Sequence, residues 1–286
     1  MFLRVFFNLI VLTGLGYCQE IFKTETITLG KTKIIRIVKT QGKNLSFSFN
    51  GGNFKSFLVP IPTLAQVNPE KLDEVKPEIR QAVIFLFRRK PSQKILSYVR
   101  KFLLDENLWV RWDALDVVLK LKDTSPQTIE NLKKLFFDPC PEIRLKIVNF
   151  FGSLKDGENF RAVYTAVLDE NEEVKLLALK ILEKRVSTTT IVGIAQELIN
   201  DKSTNVKKEC MKILIKNNQM SEKQLCKYLS SKEVEIRRIA SEILKDLGTE
   251  FAVPYLIKAL QDKDEIVKKN VQKALDKIRK KSRVPL

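Results

Sequence analysis

The chain has 286 residues, 44% of them hydrophobic and 30% charged, and a formal net charge of +17. It holds no histidine, which excludes the commonest general base and the commonest metal ligand. The positive balance favours acidic partners: nucleic acid, anionic lipid or an acidic protein.

Residues 1–18, "MFLRVFFNLIVLTGLGYC", come first. One early cation, Arg4, precedes an apolar run from Val5 to Leu15. Gly14, Gly16 and Cys18 are small residues where a signal peptidase cuts. The pattern reads as a secretory signal peptide, too short for a comfortable transmembrane span. The expectation is an exported protein, periplasmic or secreted, with no spanning segment once the signal is removed. "LGYC" also resembles the lipobox of bacterial lipoproteins, which would put a lipid anchor on Cys18; Tyr17 departs from that motif. Cys140, Cys210 and Cys226 then remain, an odd number that gives no disulfide framework. Buried free thiols are expected, with Cys210 and Cys226 on neighbouring helices. Three cysteines without histidine make a poor zinc site, so no metal or cofactor is expected.

Residues 19–60 have a different texture. "TKIIRIVKT" and "LSFSFN" are rich in β-branched and aromatic residues, and Leu45, Phe47 and Phe49 alternate with polar neighbours. That period of two marks a half-buried strand. Gly51 and Gly52, between Phe49 and Phe54, suit a hairpin turn. Three or four short antiparallel strands are expected. So few residues build a poor independent core, so the sheet should pack on the helical remainder of the chain and cap it. Residues 61–70, with Pro62 and Pro69, read as the joint.

From residue 71 to the end one pattern recurs. Val or Ile followed by Arg or Lys appears at Ile79-Arg80, Val110-Arg111, Ile143-Arg144, Val174-Lys175, Val206-Lys207, Ile236-Arg237 and Val267-Lys268. Successive cations are 31, 33, 31, 32, 30 and 31 residues apart. Three residues after each stands a compact apolar position: Val83, Ala114, Ile147, Ala178, Cys210, Ala240, Val271. These offsets share one helix face. Six residues before each cation stands an acid or a hydroxyl, namely Glu74, Asp105, Asp138, Asp169, Asp201, Ser231 and Asp262, which signals a helix start. Between these helices lie second amphipathic segments such as "PQTIENLKKLFF" and "TEFAVPYLIKAL". A helix pair of this length cannot bury both faces alone, so it stacks on its neighbours.

The seven copies resemble the HEAT-repeat family, in particular the HEAT-like repeats of the phycobilin-lyase subgroup. The signature lies in the acid six residues before the cation and the small residue three after it. The resemblance implies an all-α fold: a HEAT-like α-α solenoid of about seven repeats, preceded by a small antiparallel β region. It also implies a structural ladder of acids and cations between adjacent repeats. Its members would be Asp105, Asp138, Asp169, Asp201 and Asp262 with Arg111, Arg144, Lys175, Lys207, Arg237 and Lys268. Ser231 departs from the acid position and weakens the ladder there.

In such a solenoid the second helices line the concave binding side. One and five residues after the ladder cation, side chains should face out. Those offsets are apolar or mixed early, with Phe85 and Trp112, and basic late, with Lys208, Lys212, Arg238, Lys269 and Lys273. The late residues read as an anion-binding stripe, the early ones as an alternative contact. The leading expectation is a non-enzymatic scaffold that binds an acidic or extended protein segment. "LWVRWDALD" loosely resembles the Trp-Asp stretch of HEAT-like alkylpurine DNA glycosylases, which implies nucleic acid as an alternative partner. A bilin-lyase-like enzyme is the third reading, with no residues here that mark a bilin pocket.

Overall fold

The computed structural model describes residues 21–282, except 30–31, 42–43, 54, 61–63 and 65. The signal expected at residues 1–18 therefore lies outside the described residues, as does Arg283. The chain divides into two compact units, Met1–Ala166 and Val167–Leu286. This boundary falls inside the repeats, whereas the sequence pattern places its boundaries at residues 60 and 70.

The first unit opens with four strands, β1 (Ile21–Leu29), β2 (Thr32–Gln41), β3 (Asn44–Asn50) and β4 (Phe57–Pro60). They pair antiparallel in sequence order. Period-two alternation puts Ile34, Arg36 and Val38 of β2 on one face with Glu25, Ile27, Leu45 and Phe47, all buried. The turn between β3 and β4 needs left-handed backbone, and Gly51 and Gly52 supply it with φ of 89° and 69°. A Cβ on Gly51 would also sit 2.2 Å from the Lys33 carbonyl oxygen.

Helix pairs follow. The second helices of the first unit are α1 (Pro77–Arg89), α2 (Leu108–Lys120) and α4 (Pro141–Ser153); α3 (Pro126–Lys134) is a first helix. The other first helices in this unit are broken into short α and 3-10 turns, as at Gln93–Leu104 and Gly157 onward. The second unit consists of α5 (Glu172–Arg185), α6 (Thr188–Leu198), α7 (Thr204–Lys216), α8 (Glu222–Tyr228), α9 (Val234–Leu247), α10 (Val253–Ala259) and α11 (Glu265–Ser282). Each of the seven second helices carries its ladder cation as its fourth residue. The compact position three residues on is fully buried in every copy, from Val83 to Val271. Pro254 sits in the first turn of α10, where the missing N–H is no loss.

The acid does two jobs at Asp105, Asp138, Asp201 and Asp262. Its side chain accepts from the backbone N–H two residues on: Asp105 from Asn107 at 2.8 Å, Asp201 from Ser203 at 2.8 Å, Asp262 from Asp264 at 2.9 Å. That turn delivers the chain to the helix cap, two residues later than the acid itself. The same carboxylates take the cation of the preceding repeat. Arg80 Nε lies 2.9 Å from Asp105, Arg111 Nε 2.7 Å from Asp138 and Arg237 Nε 2.7 Å from Asp262, and Lys175 pairs with Asp201. Arg111 and Arg237 also donate to a carbonyl of their own turn, Asp105 O at 2.8 Å and Ser231 O at 3.0 Å. Arg144 Nη1 donates in the same way to Asp138 O at 2.6 Å. Lys207 makes no ion pair among the described residues, and Lys268, in the last copy, pairs with Glu265 on its own helix.

The sheet packs on the second helices of its unit. Phe47 meets Phe85 of α1 edge-on at 5.6 Å, and Phe49 meets Trp109 of α2 at 5.9 Å. β1 also touches α4. The sheet thus spans three successive repeats across their second helices, rather than closing the end of the first. Burial of the shared apolar face of Ile27, Val38, Leu45 and Phe47 favours this packing.

Candidate binding surface

The second-helix face differs in character between the two units. In the first, the sheet lies on it and a network of charges is sealed between them. Arg36 of β2 holds Asp113 of α2 with two parallel bonds, Nη1 at 2.7 Å and Nη2 at 2.8 Å. Arg88 of α1 reaches the same carboxylate at 2.6 Å, Glu25 Oε1 at 2.5 Å and Asp116 at 2.6 Å. Arg36 Nε donates to Glu25 at 3.1 Å, and Trp112 Nε1 donates to Glu25 at 3.1 Å. Lys146 of α4 pairs with Asp116 and lies 3.5 Å from the centre of the Trp112 ring. The Arg36 guanidinium stacks 4.2 Å from the Trp109 ring.

Arg36 and Asp113 are fully buried and Arg88 nearly so. Charges in so dry a place persist only when paired and hydrogen-bonded. Three cations, Arg36, Arg88 and Lys146, balance three carboxylates, Glu25, Asp113 and Asp116. Burial pushes the Glu25 carboxyl up, but hydrogen bonds and charge from Arg88 and Arg36 outweigh it and hold Glu25 well below the usual carboxylate range. Burial pulls the Lys146 ammonium down, against the opposing charge of Asp116.

This arrangement corrects the early half of the expected surface. Phe85 is 2% exposed and Trp112 is 7% exposed, because the sheet covers them. They are packing and hydrogen-bonding residues of an internal joint and do not form an open contact. The Trp-Asp stretch is closed as well. Trp109 and Asp113 are fully buried, and two arginines fill the Asp113 carboxylate. No open pocket of aromatic and carboxylate remains at that stretch among the described residues.

In the second unit the same offsets are part open. Lys208 of α7 lies 3.1 Å from Glu242 of α9, which shows the two offset rows running side by side across neighbouring repeats. Arg238 is held by Asp264 at 2.6 Å and by Glu235 at 2.9 Å. Lys212 is half-buried, 4.0 Å from Glu209. Lys269 and Lys273, one turn apart on α11, are exposed and make no ion pair among the described residues. The stripe is therefore interrupted: Lys208 and Arg238 are answered by carboxylates, and the free charge gathers at α11.

Cys140, Cys210 and Cys226 are free and buried. Burial pushes their thiols up, Cys140 and Cys210 to about 12 and Cys226 to about 11, so none is a ready nucleophile. Among the described residues no three Cys, Asp or Glu side chains gather as a metal site. No helix among them is long and apolar enough to cross a membrane.

Sequence reasoning missed Glu25, Arg36, Arg88 and Lys146. A signal was present for one: period two places Arg36 on the same face as Ile34 and Val38, inside the sheet.

Stacked helix pairs joined by an acid–cation ladder define a HEAT-like α-α repeat protein with a small N-terminal antiparallel sheet. Residues 222–286 match the family model described as HEAT repeats. No curated protein sequence matches the chain significantly. Among solved structures the chain is similar to YibA of E. coli, at 20% identity, over 72% of this chain and 80% of that one, with a TM-score of 0.48. It is similar to the complex of CpcE and CpcF of phycocyanin lyase from Nostoc sp., at 17% identity, over 79% and 98%, with a TM-score of 0.35. It is also similar to computationally designed armadillo repeat proteins for modular peptide recognition, at 18% identity, over 75% and 98%, with a TM-score of 0.31.

Proposed function

We propose that this protein is an exported scaffold that binds an acidic, extended protein segment on the second-helix face of its last repeats. The observation that carries the reading is the pair Lys269 and Lys273, exposed on α11 and making no ion pair among the described residues. Each such cation contributes little by itself, because water and salt screen it over about 8 Å. Several in one field draw an acidic segment by long-range attraction and hold it weakly. Export rests on the layout of residues 1–18, with Arg4 ahead of the apolar run.

Two experiments test this reading. N-terminal sequencing of the protein from its host should begin close to Gln19; intact Met1 in a soluble cytosolic fraction would remove the exported part. Affinity for a glutamate-only peptide should fall at least about tenfold, or about 1.4 kcal/mol, in Lys269→Glu/Lys273→Glu with helical content unchanged. Full affinity in that variant would remove the binding part.

A further inference from the structure

The first helices of the second unit carry a feature that the inner row of cations does not use. Between α8 and α10 runs an open groove of about 570 Å³. Its floor is apolar: Cys226, Leu229 and Ala259 are all buried. Lys227 of α8 stands on one wall, Tyr255 and Lys258 of α10 on the other. Tyr255 is 37% exposed and leans on Phe251, 48% exposed, with ring centres 5.8 Å apart. Tyr255 and Lys258, three residues apart on α10, line the groove, and Phe251 of the preceding turn stands beside Tyr255 outside that lining.

Two facts set the chemistry of an occupant. The exposed Tyr255 ring leaves apolar area wet on the groove wall, which an apolar side chain would cover. The ammonium groups of Lys227 and Lys258 are exposed and have no ion pair among the described residues. The groove's one carboxylate, Asp262, is already committed to Arg237 at 2.7 and 3.1 Å. The groove therefore presents apolar floor, aromatic wall and two unanswered cations on opposite sides.

We propose that the groove between α8 and α10 is a docking site for a short acidic peptide segment that carries one aromatic side chain. The aromatic residue packs on Tyr255 over Cys226 and Leu229, and flanking carboxylates reach Lys227 and Lys258. This surface is separate from the row at Lys269 and Lys273.

The test compares two fluorescein-labelled peptides, one of Asp and Glu around a central Phe and one with that Phe replaced by Ser. Anisotropy titrations with the full chain should show the Phe peptide binding at least about fivefold tighter. Lys227→Glu/Lys258→Glu should abolish that preference, and Tyr255→Ser should reduce it to near unity. Lys269→Glu/Lys273→Glu should weaken the Ser peptide at least as much as the Phe peptide, so that the ratio holds or rises. These residues are exposed, and circular dichroism checks that the variants keep their helices. Equal binding of the two peptides by the wild type would overturn the groove proposal and leave the inner-row reading standing. A preference that survives Lys227→Glu/Lys258→Glu would also overturn it. So would a single-stranded oligonucleotide that binds more tightly than the Phe peptide in a manner lost with Lys227→Glu/Lys258→Glu.

Discussion

Arg36 and Asp113 are 77 positions apart in sequence and form a bidentate pair with both side chains fully out of water. The pair ties the second strand of the sheet to the second helix of the second repeat. Removing one member leaves a buried charge without its answer. Asp113→Ala should therefore destabilise the first unit by about 3–5 kcal/mol. Arg36→Met combined with Asp113→Leu should cost less than the sum of the two single changes, because no orphan charge remains. The chain's two tryptophans, Trp109 and Trp112, stand at this joint, so urea unfolding followed by tryptophan fluorescence reads it directly. A single-variant cost under about 1 kcal/mol would show that the network does not hold the sheet.

Glu25 gives the joint a pH signature. Its folded carboxyl titrates below its unfolded value, since Arg88 and Arg36 overcome the penalty of burial. The unfolded chain thus takes up the proton first. The stabilisation is complete above the unfolded value, about 4.3, and is lost as pH falls from there toward the folded value. Glu25→Gln removes this dependence. The gap in urea midpoint between wild type and Glu25→Gln should be largest at neutral pH and should close in the acid range below about 4.3. A gap that stays constant down the pH series would contradict the assignment.

Ala240 and Lys273 test the repeat register. Ala240 is fully buried at the compact offset of α9, within the core formed with Ile243, Leu256 and Val271. Ala240→Phe should overpack it and cost about 1–3 kcal/mol. Lys273 is exposed, and Lys273→Ala should stay within about 0.5 kcal/mol. The second unit has no tryptophan, so thermal unfolding by circular dichroism is the readout.

Ser231 is the one non-acidic residue at the ladder position among the repeats from Asp105 to Asp262. Its hydroxyl keeps the turn bond, accepting from Glu233 N at 3.2 Å, and Lys207 of the preceding repeat is left without an ion pair among the described residues. Ser231→Asp can do both jobs, as Asp105 and Asp262 do. It should stabilise the second unit by up to about 1 kcal/mol, an increment that high salt reduces. A loss of stability would show that Lys207 does not point at the rung.

The repeats were legible because helix pairs are local objects. Each copy writes its own cation and compact core residue within about 31 residues, and stacking repeats the same contacts. The strands were legible from alternation at Leu45 and Phe47 and from the glycine turn at Gly51. The placement of the sheet was not legible. It depends on long-range partners, such as Glu25 with Arg88 and Trp112, which no local period records. For that reason Phe85 and Trp112 looked like an open face in the sequence and are internal in the fold. The basic row was legible as a pattern, but its neutralisation was not: Glu242 and Asp264 meet Lys208 and Arg238 only once neighbouring repeats are stacked.

The central functional claim is electrostatic capture of an acidic segment by the open cations Lys269 and Lys273 on α11. Its most direct measurement is the affinity for a glutamate-only peptide across a series of salt concentrations. Attraction between solvated charges is screened, with a Debye length near 10 Å at about 0.1 M salt and near 3 Å at about 1 M. The account predicts that affinity falls steeply over this range in the wild type and that the dependence is shallower in Lys269→Glu/Lys273→Glu. Salt-independent binding by the wild type, or an unchanged slope in the variant, would contradict it.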